Sequence, residues 1–148
     1  LPYLSDVARV EQALREAYHA ADATPIDPNE LAQIPAEALT DLRLSLAPAL
    51  RVLNSDYPAH AIWAYNMEPG SPKPDPVAQS VLIVRPDFDP KPIAITASEA
   101  AFISALGDGA TLGTATETGA DILPDFDPTH ALGLLLAHSA ITSLTFGD

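Results

Sequence analysis

The chain has 148 residues, of which 47% are hydrophobic, enough for one globular domain that buries roughly 70% of the surface of its unfolded chain. Twenty acidic and seven basic side chains give a formal net charge of -13, and the resulting field repels polyanions such as DNA and RNA. There is no cysteine, which excludes disulfides, zinc–thiolate sites, iron–sulfur clusters and thiol nucleophiles.

The N-terminal part of the chain is predicted to be helical. Apolar residues recur every three or four positions over residues 7–18, so a helix should run to about Asp22, with Ser5 or Asp6 as its N-cap. A capping box over residues 27–30 then predicts a second, short helix, and a further helical turn should follow it.

Two strands and another helix are predicted next. Leucine and valine alternate with polar residues over 42–52, which is the period of half-buried strands, and Pro48 should divide this run in two. Pro58 should begin a short aromatic helix. The proline-rich segment 66–76 is interpreted as a surface loop.

The second half predicts a hairpin, three helices and a closing strand. Two β-rich runs, 80–85 and 91–95, flank an irregular turn, and Pro92 indicates that the second run is an edge strand or begins after it. The three helices should begin at Thr96–Glu99, Thr111 and Asp127–Pro128, and the strand should cover 140–146. We therefore expect an α+β fold, with short strands in a small mixed or antiparallel sheet packed with several short helices.

Neither a membrane span nor a second domain is indicated. No apolar run reaches the roughly 20 residues of a membrane helix, and the first residues lack the pattern of a signal peptide. No internal repeat is longer than a pentapeptide. We expect a single soluble, cytoplasmic domain over residues 1–148.

Acidic turns and histidines are the candidate metal ligands. The pentapeptide Pro-Asp-Phe-Asp-Pro occurs at 86–90 and at 124–128, but a calcium loop needs more oxygen ligands and a glycine at a fixed place. Both copies are interpreted as turns, each pinned to the core by its phenylalanine. The four histidines are His19, His60, His130 and His138. None has enough neighbouring ligands for a metal, so we predict no metal, no cofactor and no catalytic residue.

Three residues of the aromatic helix could form a binding surface. His60, Trp63 and Asn66 follow each other at a spacing of three, which places an imidazole and an indole on one helical face. Aromatic side chains with polar tips are good interface anchors. In the alternative interpretation, which we favour, Trp63 fills the core and His60 bonds a carbonyl group.

Short segments along the chain resemble one bacterial family. They are Pro2–Glu11, Ala17–Asp22, Leu42–Leu44, Tyr57–Pro58, Ile62–Trp63, Val81–Arg85, Glu99–Phe102 and the closing helix and strand. Together they resemble the C-terminal domain of proteins that have long carried a DNA-binding label. Members of that family resemble partner proteins of multinuclear non-haem iron-dependent oxidative enzymes, which modify ribosomally made peptides such as methanobactin and bufferin precursors.

This resemblance implies a non-catalytic role. A partner protein of this kind would hold the leader peptide of a precursor and dock on the iron enzyme, which supplies the metal and the oxidation. The resemblance also implies that the chain is the C-terminal part of a longer protein, whose N-terminal helical domain is the source of the DNA-binding label. A DNA-binding regulator and a metal-dependent enzyme are the alternatives.

The closing strand is the other candidate binding surface. If Ile141–Phe146 lies at a sheet edge, its unpaired amides and carbonyls could take an added peptide strand, with Ile141, Leu144 and Phe146 as contacts. Ordinary pairing inside the sheet is about as consistent with the sequence, because strand order cannot be deduced from it.

Overall fold

The computed structural model describes residues 1–146 and confirms the α+β fold. Within these residues there are six α-helices, one 3-10 helix and five strands. The helices are α1 (Leu4–His19), α2 (Pro28–Ala32), α3 (Ala59–Met67), α4 (Ala97–Gly107), α5 (Leu112–Ile122) and α6 (Thr129–Ala137), and the 3-10 helix is Ala36–Asp41. The strands are β1 (Leu42–Leu46), β2 (Arg51–Asn54), β3 (Ser80–Val84), β4 (Lys91–Ile95) and β5 (Ile141–Phe146).

The strands form two antiparallel sheets where the sequence suggested one. The first sheet pairs β1 with β5, and the second has the order β2-β3-β4. The turn around Pro48, which divides β1 from β2, also carries the chain from one sheet to the other. As its proline indicated, β4 is an edge strand.

Two hydrophobic cores lie on opposite sides of β3, whose residues are all buried. Leu82 and Val84 belong to the first core, together with buried residues of the β1–β5 sheet and of α4, α5 and α6. Val81 and Ile83 belong to the second core, beneath α1 and α3. A strand that is buried on both faces has a continuous apolar sequence, which is what residues 81–84 show.

Local capping signals account for the starts of three helices. The capping boxes that begin α2 and α4 are both formed, and Thr111 caps α5. The prediction for α1 was wrong, because its N-cap is Tyr3 and no side chain bonds there. Asp6 instead accepts a hydrogen bond from Ser55 Oγ at 2.6 Å, which ties α1 to the segment that follows β2, and a second one from Arg9 within the helix.

The end of α1 is set by one arginine from the second sheet. The helix ends at His19, three residues before the predicted Asp22. Arg85, which directly follows β3, donates to the Asp22 carboxylate at 2.9 Å, and its side chain is only 7% exposed. It also donates to the carbonyl groups of Ala17, Tyr18, Ala20 and Ala21. Ala17 and Tyr18 belong to the last turn of α1, whose carbonyls lack i+4 partners within the helix, and Ala20 and Ala21 directly follow the helix.

The two Pro-Asp-Phe-Asp-Pro turns have opposite relations to the core. Phe126 packs against Phe102, with the ring centroids 5.4 Å apart, and partly belongs to the first core. Phe88 is 82% exposed at the tip of the β3–β4 hairpin. The prediction that each phenylalanine pins its turn to the core is therefore right for Phe126 and wrong for Phe88.

Among residues 1–146, no helix combines the length and the apolar character that crossing a bilayer requires.

Candidate peptide-binding surfaces

The α3 residues make the contacts that the structural interpretation expected. His60 Nε2 lies 3.1 Å from the carbonyl oxygen of Pro92 on β4. Trp63 is partly buried against the second core, and its ring centroid is 6.2 Å from that of His60. Asn66 is exposed and lines an aromatic groove. His60 and Trp63 therefore have contacts within the protein, and Asn66 faces the groove.

The outer edge of β4 is partly closed to an added strand. Pro92 lies opposite Ile83 of β3 and has no N–H group to donate. Its carbonyl group faces away from β3, where His60 contacts it. An incoming peptide would therefore find one donor missing and one acceptor already engaged at the middle of this edge.

Among residues 1–146, the outer edge of β5 is open beyond Ile141. Within residues 1–146, β5 pairs with β1 alone. Ala47 N donates to Ala140 O at 2.8 Å, and Thr142 Oγ1 donates to Ser45 O at 3.2 Å, so residues 45 and 47 direct their backbone groups towards β5. The alternation of an antiparallel ladder then places the amide and carbonyl groups of Leu144 and Phe146 on the opposite edge.

The three predicted β5 residues differ in how accessible they are. Ile141 is 1% exposed, and its carbonyl oxygen accepts a hydrogen bond from Ile26 N at 2.9 Å. Leu144 lies opposite Leu44 and is partly buried against the first core, whereas Phe146 is 55% exposed. The usable edge therefore begins after Ile141 and includes Leu144 and Phe146.

An aromatic groove that sequence reasoning missed lies beside α3. It has a volume of about 460 Å³ and is formed by side chains from the start of α1, from α3 and from the proline-rich loop. Its principal lining residues are Tyr3, Tyr57, Pro58, Ile62, Tyr65 and Pro74. These tyrosines are scattered along the sequence, so no local spacing could have revealed the groove. Tyrosine- and proline-lined grooves suit extended peptide segments.

A larger polar cleft of about 550 Å³ separates α1 from the start of α4. Two of its polar residues have structural hydrogen bonds. Ser80 Oγ donates to Asn54 Oδ1 at 2.9 Å, which joins β3 to β2. Gln79 Oε1 accepts from Ala61 N at 3.0 Å, which joins the residue before β3 to α3.

One histidine pairs with a nearly buried carboxylate. His130 Nδ1 at the start of α6 lies 2.5 Å from Glu99 Oε2 at the start of α4. Burial raises the pKa of Glu99, but hydrogen bonds from His130 and Thr96 and the charge of His130 together lower it, so the net pKa is below its usual range. Among residues 1–146, no three histidine, aspartate or glutamate side chains are grouped as metal ligands would be.

The arginines are engaged within the protein itself. Arg9 donates to Asn54 O, Arg15 to Gln12 Oε1, Arg43 to Gly109 O, Arg51 to Pro48 O and Arg85 to the end of α1. Phosphate contacts would have to compete with these bonds, in a chain whose net charge is already -13.

Comparisons of the chain with protein-family models, with curated proteins and with solved structures find no match. The β5 edge offers backbone donors and acceptors, and the aromatic groove offers apolar side chains with phenol groups.

Proposed function

We propose that this chain is a non-catalytic, cytoplasmic partner protein in the maturation of a ribosomally made peptide. It binds the leader segment of the precursor and docks on the iron-dependent oxidative enzyme that modifies it. The resemblance of its short segments to such partner proteins motivates this role. The observation that carries it is the open edge of β5, where the backbone groups of Leu144 and Phe146 face outward.

The leader peptide would add to β5 as a third strand of the first sheet. Main-chain hydrogen bonds to Leu144 and Phe146 would supply affinity with little dependence on the peptide sequence, and side-chain contacts would supply selectivity. Phe146, at 55% exposure, is the aromatic contact at this edge. The competing edge, β4, is less suited because of Pro92 and its bond to His60.

Binding of this chain to the leader peptide of a ribosomally made precursor tests the proposal. The variant Phe146→Lys places a charge at the edge, a substitution that blocks strand addition while leaving the cores untouched. Val77→Lys makes the same chemical change at another exposed apolar residue, which is 57% exposed and lies outside β5. We expect Phe146→Lys to weaken peptide binding at least tenfold and Val77→Lys to leave it unchanged, with both variants folded by circular dichroism.

Two outcomes would contradict the proposal. One is peptide binding by Phe146→Lys that equals binding by the unaltered chain. The other is that neither a precursor peptide nor an iron-dependent oxidative enzyme co-purifies with the protein. A mobility shift of duplex DNA at physiological salt, abolished by charge reversal of Arg43 or Arg51, would replace the proposal with the DNA-binding alternative. Metal bound to the purified protein, found by elemental analysis, would revive the metal-dependent enzyme.

A further inference from the structure

Two exposed aromatic rings flank a small pocket far along the chain from β5. Phe88, at the hairpin tip, is 82% exposed, and Tyr18, at the end of α1, is 58% exposed. Together with Asp22 and Arg85 they enclose a volume of about 210 Å³. This space accommodates one long side chain and is too small for a folded segment.

The electrostatics of this pocket favour a cation. Arg85 contributes a positive charge, but its two terminal nitrogens already donate five hydrogen bonds to the end of α1 and to Asp22, so few donors are left for an anion. The Asp22 side chain is 96% exposed, and Asp87 and Asp89 flank Phe88 in the sequence.

We propose that this pocket binds an arginine side chain of a basic partner segment. The guanidinium plane stacks on Phe88 and Tyr18, and the solvent-facing oxygen of the Asp22 carboxylate accepts its hydrogen bonds. Arginine suits the site better than lysine because a planar guanidinium stacks on aromatic faces and matches a carboxylate. The net charge of -13 attracts basic partners to the whole surface, and the two rings select one side chain from them. This site does not depend on the role proposed for β5.

A monovalent probe tests the proposal, because polycations would bind to this chain almost anywhere. The full chain, labelled with ¹⁵N, is titrated with N-acetyl-arginine amide and, separately, with N-acetyl-citrulline amide, a neutral molecule of nearly the same shape. We expect saturable shifts of the amide resonances of Tyr18, Asp22 and Phe88 with the arginine compound, and much weaker binding of the citrulline compound.

Variants at exposed positions assign the binding to individual side chains. Phe88→Ala should weaken binding of the arginine compound about two- to fivefold, as expected for loss of an exposed cation–π contact. Asp22→Asn should also weaken it, whereas Tyr65→Ala, which truncates a tyrosine of the aromatic groove that is 53% exposed, should not. Equal binding of the arginine and citrulline compounds, shifts confined to other regions, or unchanged affinity in folded Phe88→Ala would each overturn the proposal.

Discussion

Replacing Arg85 by methionine should destabilise the protein more than its single ion pair suggests. Methionine keeps much of the buried aliphatic stem and removes the guanidinium group. Five hydrogen bonds disappear, four of them to carbonyl groups at the end of α1 and one to Asp22. Because α1 packs on the second core, a loosened end of this helix also weakens the packing beneath it.

The magnitude follows from which acceptors can be rehydrated. The bonds to Ala17 O and Ala20 O are partly buried, whereas those to Tyr18 O and Ala21 O are exposed, so water can replace the exposed pair. Hydrogen bonds to charged groups contribute about 1.5 kcal/mol or more each. The two partly buried bonds therefore give a loss of about 3 kcal/mol in the free energy of unfolding, or about 6–12 °C in Tm for a domain of this size.

Urea unfolding, followed by the fluorescence of Trp63, measures this loss, since Trp63 is the single tryptophan and contacts the second core. Arg15→Met makes the same change at an exposed arginine on α1 and should cost no more than about 0.5 kcal/mol. Asp22→Asn should cost no more than about 1 kcal/mol, because this carboxylate is exposed. A loss for Arg85→Met no larger than the loss for Asp22→Asn would refute the role assigned to the carbonyl bonds.

Three further substitutions test the packing and the pH dependence. Gly119→Ala would place a Cβ atom 2.6 Å from the Phe126 ring and should destabilise the protein by about 1–3 kcal/mol. Gly133→Ala, whose Cβ atom would meet no atom within 4 Å, should stabilise α6 by about 0.5–1 kcal/mol. Similar changes in the free energy of unfolding for the two variants, measured with urea, would contradict the close packing of Gly119 on Phe126. The pKa of Glu99 is lower in the folded protein than in the unfolded chain, where a glutamate has a pKa of about 4.3. The ionised Glu99 side chain therefore stabilises the fold at pH values above about 4.3, and this stabilisation is lost as the pH falls through the folded-state pKa of Glu99. Between pH 5 and pH 3, the free energy of unfolding of Glu99→Gln, measured by urea titration, should therefore fall less than that of the unaltered chain. Equal losses would contradict the stabilising role of the ionised Glu99 side chain.

The elements with strong local signals were predictable from the sequence. The capping boxes at 27–30 and 96–99 each begin a helix at the expected place, because both partners of a capping box lie within one turn. Pro48 and Pro92 act through their own backbone geometry, so the break between β1 and β2 and the edge position of β4 could also be deduced.

What the sequence could not supply depends on distant residues. The end of α1 is fixed by Arg85, which is more than 60 positions away along the chain. The identical pentapeptides around Phe88 and Phe126 differ only in their surroundings, since Phe126 meets Phe102 and the glycine at position 119. The open edge of β5 was one of two alternatives, because strand order depends on which segments meet in space.

Residue-resolved amide hydrogen exchange of β5 tests the central proposal most directly. The exchange rates are measured by NMR on the full chain, alone and saturated with the leader peptide of a precursor. The proposed strand addition predicts that the amides of Leu144 and Phe146 exchange fast in the free protein and slowly in the complex, while those of Ser143 and Thr145, which already face β1, change little. Peptide binding that leaves the amides of Leu144 and Phe146 unprotected would contradict it.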